Sequence, residues 1–396
     1  MKFRKIYNKQ EEILENKKLI FIVWPRQVGK TTFLKKIFSS LNTENKQFLN
    51  LENIEYHKFF KKFSDLENFI NKNYNKKYWE RFYLFLDEFQ KVKDIDYILK
   101  LIYDEMPFVK VILSGSNNIE INKNIKESFA GRKRIYYMWP LDFEEFVIWK
   151  ENLEYEKLER FMNNPINEAK IKNYLKEYMI WWAYPDVVLE SNQDKKKQIL
   201  SDIFDFWFNR DIVLYTKKMY EFKELTRQLA YYSWNILNYA KLASLSNLSS
   251  PTVKQFIEIL KETFIVFTQR PFFRNKLKEI NKAPKLYFID PWFRNWFINR
   301  FEFFQEEYCV LFENFIFSDL IKTKYRIDEL KFWRTSDEKY EVDLVIEHKK
   351  KAYELKYKEN LRDSDLKWLK KFSSLYPDFE TKVINKTNFY EEIIKN

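Results

Sequence analysis

The sequence has few cysteines, histidines and glycines, and these scarcities narrow the class of protein. Among 396 residues there are three glycines, two histidines and one cysteine. The single cysteine, Cys309, excludes an internal disulfide and fits a reducing compartment. With only His57 and His348, a histidine-rich metal site or serine–histidine catalysis is not expected. No uncharged apolar run approaches the ~18 residues of a membrane span, and no signal peptide is recognisable at the start. We therefore expect a soluble, cytoplasmic protein without a membrane partner.

Apolar and basic residues are abundant instead. Apolar residues make up 45% of the chain and charged residues 32%, which excludes a wholly disordered protein. The length suggests two to three domains of about 150 residues each. Lys and Arg number 70 against 58 Asp and Glu, and the net charge of +12 favours an anionic partner such as nucleic acid.

A phosphate-binding loop is predicted between an apolar run at residues 19–23 and a helical apolar pattern at residues 33–41. Strand, loop and helix are the context that such a loop requires, and G-x-x-x-x-G-K-S/T is its pattern. Trp24 stands where the pattern has its first glycine. The residues expected to bind ATP phosphates are Trp24, Pro25, Arg26, Gln27, Val28, Gly29, Lys30, Thr31 and Thr32.

The chemistry of this loop follows from its residue types. Backbone N–H groups and the helix N-terminus would cradle phosphates, while Lys30 would reach the β- and γ-phosphate oxygens. Thr31 would hold Mg²⁺. The alternative is a chance Gly-Lys-Thr after an apolar strand.

An acidic pair follows a second apolar strand, at residues 83–86. Asp87 and Glu88 come directly after it, which is the Walker B arrangement when it accompanies a phosphate loop. We expect Asp87 to bind Mg²⁺ and Glu88 to polarise the attacking water.

A third strand, at residues 110–113, runs into the segment SGSNN. Ser116 and Asn117 are candidates for orienting the hydrolytic water. Because Gly, Ser and Asn also favour turns, an ordinary strand-ending turn is the alternative.

In these motifs and their order, the chain resembles the prokaryotic AAA-type P-loop ATPases, whose members carry GPRQVGKTT, a strand ending LDE, and then TGSN. The matching segments are WPRQVGKTT, LFLDEFQ, ILSGSNN and AGRKRIYYMWPLDFEEF. The resemblance implies an ATPase domain over residues 1–150, with ATP and Mg²⁺ as ligands. It also implies that Arg132 senses the nucleotide or acts as an arginine finger. The alternative is that the Arg132 side chain only covers the edge of a strand. An arginine acting on a neighbouring subunit would require a homo-oligomer.

Residues 151–300 are expected to form a helical region with a winged helix. A short helix in KLASLSNL precedes Ser250 as N-cap and Pro251 in the first turn of a second helix. Such a module can read DNA through its second helix. That helix has mixed charges rather than a basic stripe, which favours packing against the nucleotide domain; the charged residues are Lys254, Glu258, Lys261 and Glu262.

Residues 301–396 contain acidic and lysine residues in the order of the PD-(D/E)XK pattern of nuclease active sites. Asp343 lies on one predicted strand, and Glu354 and Lys356 lie on the next, where positions i and i+2 share a face. The carboxylates would hold Mg²⁺ and Lys356 would position or activate water; Glu313 is a further carboxylate on the preceding helix. The resembled family has such a module at this end. The alternatives are charged strands without chemistry, or this fold without nuclease activity.

Twelve tryptophans contrast with the three glycines, where usage of about 7% would give roughly 28 glycines. Five tryptophans align with family glycines: Trp24, Trp181, Trp182, Trp234 and Trp292. We interpret this as UGA codons that the native host reads as glycine and that were translated as tryptophan. The alternative is a decayed phosphate loop.

Together these patterns predict an α/β protein. A parallel-sheet AAA-type domain would precede the helical, winged-helix region and a restriction-endonuclease-like α/β domain. The predicted function is Mg²⁺-dependent ATP hydrolysis that rearranges the other two regions on nucleic acid. The alternative is a nucleotide-binding switch or a regulatory DNA-binding protein without significant ATP turnover or nuclease activity.

Overall fold

The chain forms two compact units, residues 1–141 and residues 142–396. The computed structural model describes residues 2–23, 27–75, 81–115, 129–181, 183–275, 277, 279, 282–302, 304–335, 337 and 339–395. Among the helices in these ranges, none combines the length and the apolar character needed to cross a bilayer.

The first unit is built on a parallel sheet of five strands: β1 (Leu19–Val23), β2 (Lys46–Asn50), β3 (Phe82–Asp87), β4 (Val109–Gly115) and β5 (Lys133–Tyr137). Their order is β2–β3–β4–β1–β5. The described α-helices are α1 (Gln10–Glu15), α2 (Lys30–Ser40), α3 (Phe63–Asn73) and α4 (Ile95–Glu105). Strands β1, β3 and β4 are buried at nearly every position, as expected where both faces of a parallel sheet are covered.

The register brings three loops to one edge of this sheet. Val23 at the end of β1 pairs with Gly115 at the end of β4. Leu86 near the end of β3 pairs with Leu113 on β4. The carboxyl ends of these strands therefore lie side by side at one edge of the sheet, which is where open α/β sheets bind ligands. The strands predicted at residues 19–23, 83–86 and 110–113 are confirmed.

The second unit contains a mixed six-stranded sheet and a set of helices. Its strands are β6 (Val266–Pro271), β7 (Lys285–Phe288), β8 (Leu330–Arg334), β9 (Glu341–Ile346), β10 (Lys351–Lys356) and β11 (Glu380–Asn385), in the order β11–β10–β9–β8–β6–β7. Its described α-helices are α5 (Phe143–Glu151), α6 (Tyr155–Met162), α7 (Glu168–Trp181), α8 (Pro185–Leu189), α9 (Gln193–Phe206), α10 (Met219–Tyr232), α11 (Tyr239–Ser246), α12 (Ser250–Glu262), α13 (Pro291–Ile298), α14 (Tyr308–Thr323) and α15 (Asp363–Leu375).

One sheet joins the two regions that the sequence separates at residue 300. Strand β6, from the helical region, runs parallel to β8, from the C-terminal region. The paired residues are Arg270 with Lys331 and Pro271 with Phe332. The expected boundary between residues 300 and 301 therefore lies inside one compact unit, and the division into three domains stays a prediction.

Helices α10, α11 and α12 are followed by the antiparallel pair β6 and β7, the order of elements that a winged helix would have. The N-cap of α12 is Ser249, whose side chain accepts a hydrogen bond from the backbone N–H of Thr252. Ser250 is the first helical residue and not the cap that the sequence suggested. Both serines favour a cap, so the neighbouring hydroxyls made the position ambiguous by one residue.

Two of the anomalous tryptophans occupy unfavourable positions. Trp234 has φ of +68°, in the left-handed region that bulky side chains rarely adopt. Trp292 is fully buried, and its indole N–H has no hydrogen-bond partner in the described structure. Trp181 ends α7 and stacks on Phe301 at 5.2 Å between ring centroids. Trp24 and Trp182 lie outside the described residues.

Candidate functional site

The predicted phosphate loop leaves β1 and enters α2 through two left-handed residues. Gln27 has φ of +62° and Gly29 has φ of +95°. Gly29 is the residue before α2, and its conformation is one that glycine adopts without steric cost. Helix α2 therefore begins at Lys30, which points the helix N-terminus into the loop. Trp24, Pro25 and Arg26 lie outside the described residues.

Among the described residues, the cationic side chains of Lys30 and Arg4 lie at this loop. Lys30 is 5% exposed. Arg4, from the N-terminal segment, is also buried and donates hydrogen bonds to the carbonyl oxygens of Val28 (2.9 Å) and Trp139 (2.5 Å). Arg4 thus ties the loop backbone to the segment after β5. Two buried cations at a helix N-terminus make this edge of the sheet suited to an anion.

The structure brings the predicted Walker residues together. The Thr31 hydroxyl donates a hydrogen bond to Asp87 Oδ2 at 2.7 Å. Ser114, on β4, donates to the other oxygen of the same buried carboxylate. Sequence reasoning missed Ser114. Its signal was a hydroxyl that directly follows the apolar run at residues 111–113.

Glu88 follows Asp87 with φ of +55°, so the chain turns sharply away from β3. The Gln90 side-chain amide donates a hydrogen bond to Glu88 Oε2 at 2.7 Å. A Cβ atom at Gly115 would lie 2.6 Å from a ring carbon of Phe89 and 2.7 Å from Gln90 Oε1. The absence of a side chain at the end of β4 therefore lets the turn that carries Glu88 pack directly against it.

Arg132 lies at the opposite edge of the sheet. Its carbonyl accepts a hydrogen bond from the N–H of Leu19, the first residue of β1, whereas the phosphate loop follows the last. Its guanidinium binds the Asp104 carboxylate at 2.9 and 3.1 Å. The structure does not bring Arg132 to the phosphate loop of its own chain. Asn117 and Ser116, the predicted water-orienting residues, lie outside the described part of the chain.

The second unit brings together the other predicted group. Strands β9 and β10 are antiparallel, with Leu344 opposite Tyr353. Asp343 and Glu354 are the next residues on the two strands beyond this pair, which brings the two carboxylates close together. Asp343 Oδ2 accepts a hydrogen bond from the Leu355 N–H at 2.8 Å. Lys356 Nζ lies 2.5 Å from Glu354 Oε1.

Burial dominates the electrostatics of this pair. Burial, with the Asp343 charge adding to it, raises the pKa of Glu354 to about 9. Burial opposes the charge of Lys356, but the Asp343 and Glu354 carboxylates raise its pKa above the usual value of 10.5. Glu354 Oε2 is buried and has no hydrogen-bond partner in the described structure. The pair therefore retains one oxygen that a cation or a proton could take.

Glu313, the third predicted metal ligand, is engaged elsewhere. The Tyr287 hydroxyl donates to Glu313 Oε1 at 2.6 Å, and Lys285 Nζ lies 3.7 Å from the same oxygen. Both partners are on β7. Within the described residues, no three His, Cys, Asp or Glu side chains are arranged to hold a metal ion. Glu313 therefore contacts Tyr287 and Lys285 on β7 in the described structure, and its role as a metal ligand beside Asp343 and Glu354 stays a prediction.

Comparison with known families agrees with this picture of the first unit. The AAA domain family matches residues 16–147. Two domains of unknown function, DUF8612 and DUF4143, match residues 172–302 and 310–395. The AAA match supports an AAA-type P-loop ATPase. The other two descriptions name no activity.

Three individual proteins are similar. The uncharacterized protein MJ1544 of Methanocaldococcus jannaschii is 26% identical over 86% of this chain and 75% of its own length. The uncharacterized protein MJ1637 of the same organism is 24% identical over 71% of this chain, and the match spans 63% of its length, which is less than two thirds. The Walker-type ATPase PABY2304 of Pyrococcus abyssi is similar in structure, with a TM-score of 0.50 and 14% identity over 75% of this chain and 96% of that one. At this identity the likeness shows the fold alone.

Proposed function

We propose that the first unit binds Mg²⁺-ATP at the carboxyl edge of its sheet and hydrolyses it. The observation that carries the proposal is the 2.7 Å hydrogen bond between the Thr31 hydroxyl and Asp87 Oδ2. It places the threonine of the phosphate loop against the acid at the end of β3, the two groups that hold Mg²⁺ in P-loop enzymes. The residues present therefore fit the cation.

Each residue of this edge has a role in the proposal. Lys30 and the backbone N–H groups at the start of α2 hold the β- and γ-phosphates. Thr31 and Asp87 hold Mg²⁺, which when bound neutralises charge on the phosphate oxygens. Ser114 orients the Asp87 carboxylate, and Glu88 polarises the attacking water. Asn117 is proposed as a second group for that water.

The variant Glu88→Gln tests hydrolysis. Because the amide cannot accept a proton, steady-state ATP hydrolysis should fall about a hundredfold or more while ATP binding is retained. Glu105→Gln, at the exposed end of α4, is the matched control. Unaltered activity in Glu88→Gln would support the other reading, a nucleotide-binding switch without significant turnover.

We also propose that the five anomalous tryptophans are glycine in the native protein. The left-handed φ of Trp234 and the unpartnered indole N–H of buried Trp292 support this reading. Glycine at position 24 would complete the phosphate-loop pattern. Reading the codons and measuring peptide masses tests it, since UGG codons with tryptophan masses would end the proposal.

For the second unit, we propose that ATP hydrolysis changes the placement of a winged-helix and a nuclease-like module on nucleic acid. The order α10, α11, α12, β6 and β7 supports the first module, and the pairing of β9 with β10 supports the second. The exposed face of α12 carries an ion pair between Lys261 and Glu258 at 2.9 Å, which does not favour DNA reading by that helix. Arg132 is proposed to act in a neighbouring subunit of a cytoplasmic homo-oligomer.

Nucleic-acid binding and cleavage need separate measurements. Binding that weakens with salt and changes between ATP-bound and nucleotide-free protein would support action on nucleic acid. Mg²⁺-dependent DNA cleavage that is lost in Asp343→Ala would support a nuclease. A folded protein that cleaves nothing would leave the module as a scaffold.

A further inference from the structure

A buried lysine lies at the centre of an acidic cluster in the second unit. Lys285, the first residue of β7, is 4% exposed. Its Nζ atom lies 3.7 Å from Glu313 Oε1 and forms an ion pair with Glu341 Oε1. Asp343 contributes a third negative charge that acts on this ammonium group. Three carboxylates therefore converge on one cation that the chain itself supplies.

Neighbouring strands fix this lysine in place. Lys285 pairs with Gln269 on β6, and the Gln269 side-chain amide donates to the Asp343 carbonyl at 3.0 Å. The Lys285 ammonium also lies 5.1 Å from the centre of the Phe332 ring on β8. Tyr287, two residues further along β7, points to the same side and holds Glu313. Contacts within the sheet thus hold the ammonium group in position, unlike that of a flexible lysine on the surface.

We propose that Lys285 is a built-in counterion that takes the place of a divalent metal ion in this carboxylate cluster. The inference rests on the proposed nuclease-like fold of the second unit. A divalent cation needs several oxygens at about 2.0–2.6 Å, whereas a lysine ammonium satisfies carboxylates as a compact positive charge with three donors. With Lys285 present, Glu313 and Glu341 are neutralised and only Asp343 and Glu354 remain for a metal.

Removing the lysine charge should therefore open a metal site. In Lys285→Met the ammonium is replaced by an apolar chain of similar length, and its carboxylate partners lose their cation. Glu313 and Glu341, freed of the lysine, then join the Asp343 carboxylate and Glu354 Oε2, which has no hydrogen-bond partner in the described structure, as oxygens available to an added cation. We expect Lys285→Met to bind one more Mn²⁺ than the wild type, at least tenfold more tightly than any wild-type site in this unit.

The experiment is a Mn²⁺ titration of the full, nucleotide-free chain by calorimetry. Lys331→Met is the matched control, since Lys331 is a buried lysine of the same sheet that pairs at 2.8 Å with both Glu279 and Glu347. The double variant Lys285→Met/Asp343→Asn should lose the added site, which locates it. Any Mn²⁺ bound at the phosphate loop is common to all variants.

Either of two Mn²⁺-binding outcomes overturns the proposal. One is a Lys285→Met protein that binds Mn²⁺ no better than the wild type and Lys331→Met. The other is a wild type that already binds Mn²⁺ through Asp343 as tightly as Lys285→Met does. If Lys285→Met does not fold, Lys285→Met/Glu341→Gln restores the charge balance; failure of that variant to recover stability would also overturn the counterion role. None of these results depends on the ATPase assay of Glu88→Gln, so the two proposals fail separately.

Discussion

The predicted sites of the two units hold their carboxylates in different ways. In the first unit, the Asp87 carboxylate is held by two neutral hydroxyls, from Thr31 and Ser114. In the second unit, the carboxylates of Glu313 and Glu341 both lie against one ammonium group, that of Lys285. Hydroxyl donors orient a carboxylate without cancelling its charge, whereas lysines cancel it. The first site therefore keeps a negative charge for a cation, whereas the second has largely neutralised its own.

The charge of the whole chain follows the same division. Residues 1–141 contain 27 Lys and Arg against 17 Asp and Glu, a net charge of +10. Residues 142–396 contain 43 against 41, a net charge of +2. The positive excess thus belongs to the unit with the phosphate loop, and the acids and bases of the larger unit nearly balance.

The strongest test of the comparison removes a lysine from the first unit. Lys30→Ala takes away the cation proposed to hold the β- and γ-phosphates, so ATP hydrolysis should fall at least about a hundredfold. ATP binding, measured by calorimetry, should weaken as well. Lys35→Ala, an exposed lysine of the same helix, should change neither. Equal activities in the two variants would contradict the assignment of the phosphate site.

Adding a methyl group at Gly115 should have the second largest effect, and this effect should be on the first unit. The Cβ atom of Gly115→Ala would meet Phe89 and Gln90, which follow Glu88, so the turn must shift. We expect a stability loss of about 1–3 kcal/mol in chemical denaturation, together with reduced ATP hydrolysis. Gly131→Ala is the control, because its Cβ meets nothing and only its φ of +77° is unfavourable. It should cost about 1 kcal/mol and leave hydrolysis unchanged.

The dependence of stability on pH should have opposite signs in the two units. Burial and the Arg81 charge lower the pKa of Lys110 to about 7 from 10.5. The unfolded chain then holds more protons between pH 7 and 10.5, so this lysine makes stability rise with pH. Glu354, with its pKa raised from 4.5 to about 9, holds its proton in the folded state and makes stability fall between those values.

Variants can assign each slope. The free energy of unfolding should be measured from pH 5 to pH 10. In Lys110→Met it should no longer rise at alkaline pH, and in Glu354→Gln it should no longer fall. A pH profile of Glu354→Gln that runs parallel to that of the wild type would show that this carboxyl does not hold a proton in the folded protein.

The smallest expected effect concerns the backbone at Trp234. Because φ is +68°, glycine should be more stable there than alanine by about 1 kcal/mol. Trp368, in the interior of α15, is the control. Because alanine favours a helix more than glycine does, Trp368→Ala should be more stable than Trp368→Gly by about 1 kcal/mol. The same preference at both positions would remove the structural support for a native glycine at residue 234.

Local patterns predicted the strands and helices that depend on neighbours in sequence. The apolar runs of β1, β3 and β4 and the apolar residues around Asp343 are visible in the chain, and strands are present at those positions. Arg4, Ser114 and Lys285 were missed, because each acts on a group that is distant in sequence. Arg4 reaches Trp139 across 135 positions, and nothing in its surroundings signals that contact. The partners of Glu313 on β7 are likewise known only once the sheet is assembled, and its role as a metal ligand stays a prediction.

The parallel pairing of β6 with β8 has a consequence for dissecting the chain. A fragment that began at residue 301 would lack β6 and β7 and would expose the backbone N–H and C=O groups of β8 along an open edge. Such edges recruit strands from other molecules and lead to aggregation. A fragment that ended at residue 300 would lose the partner of β6 in the same way. The cut that leaves both sheets whole falls between Leu141 and Asp142.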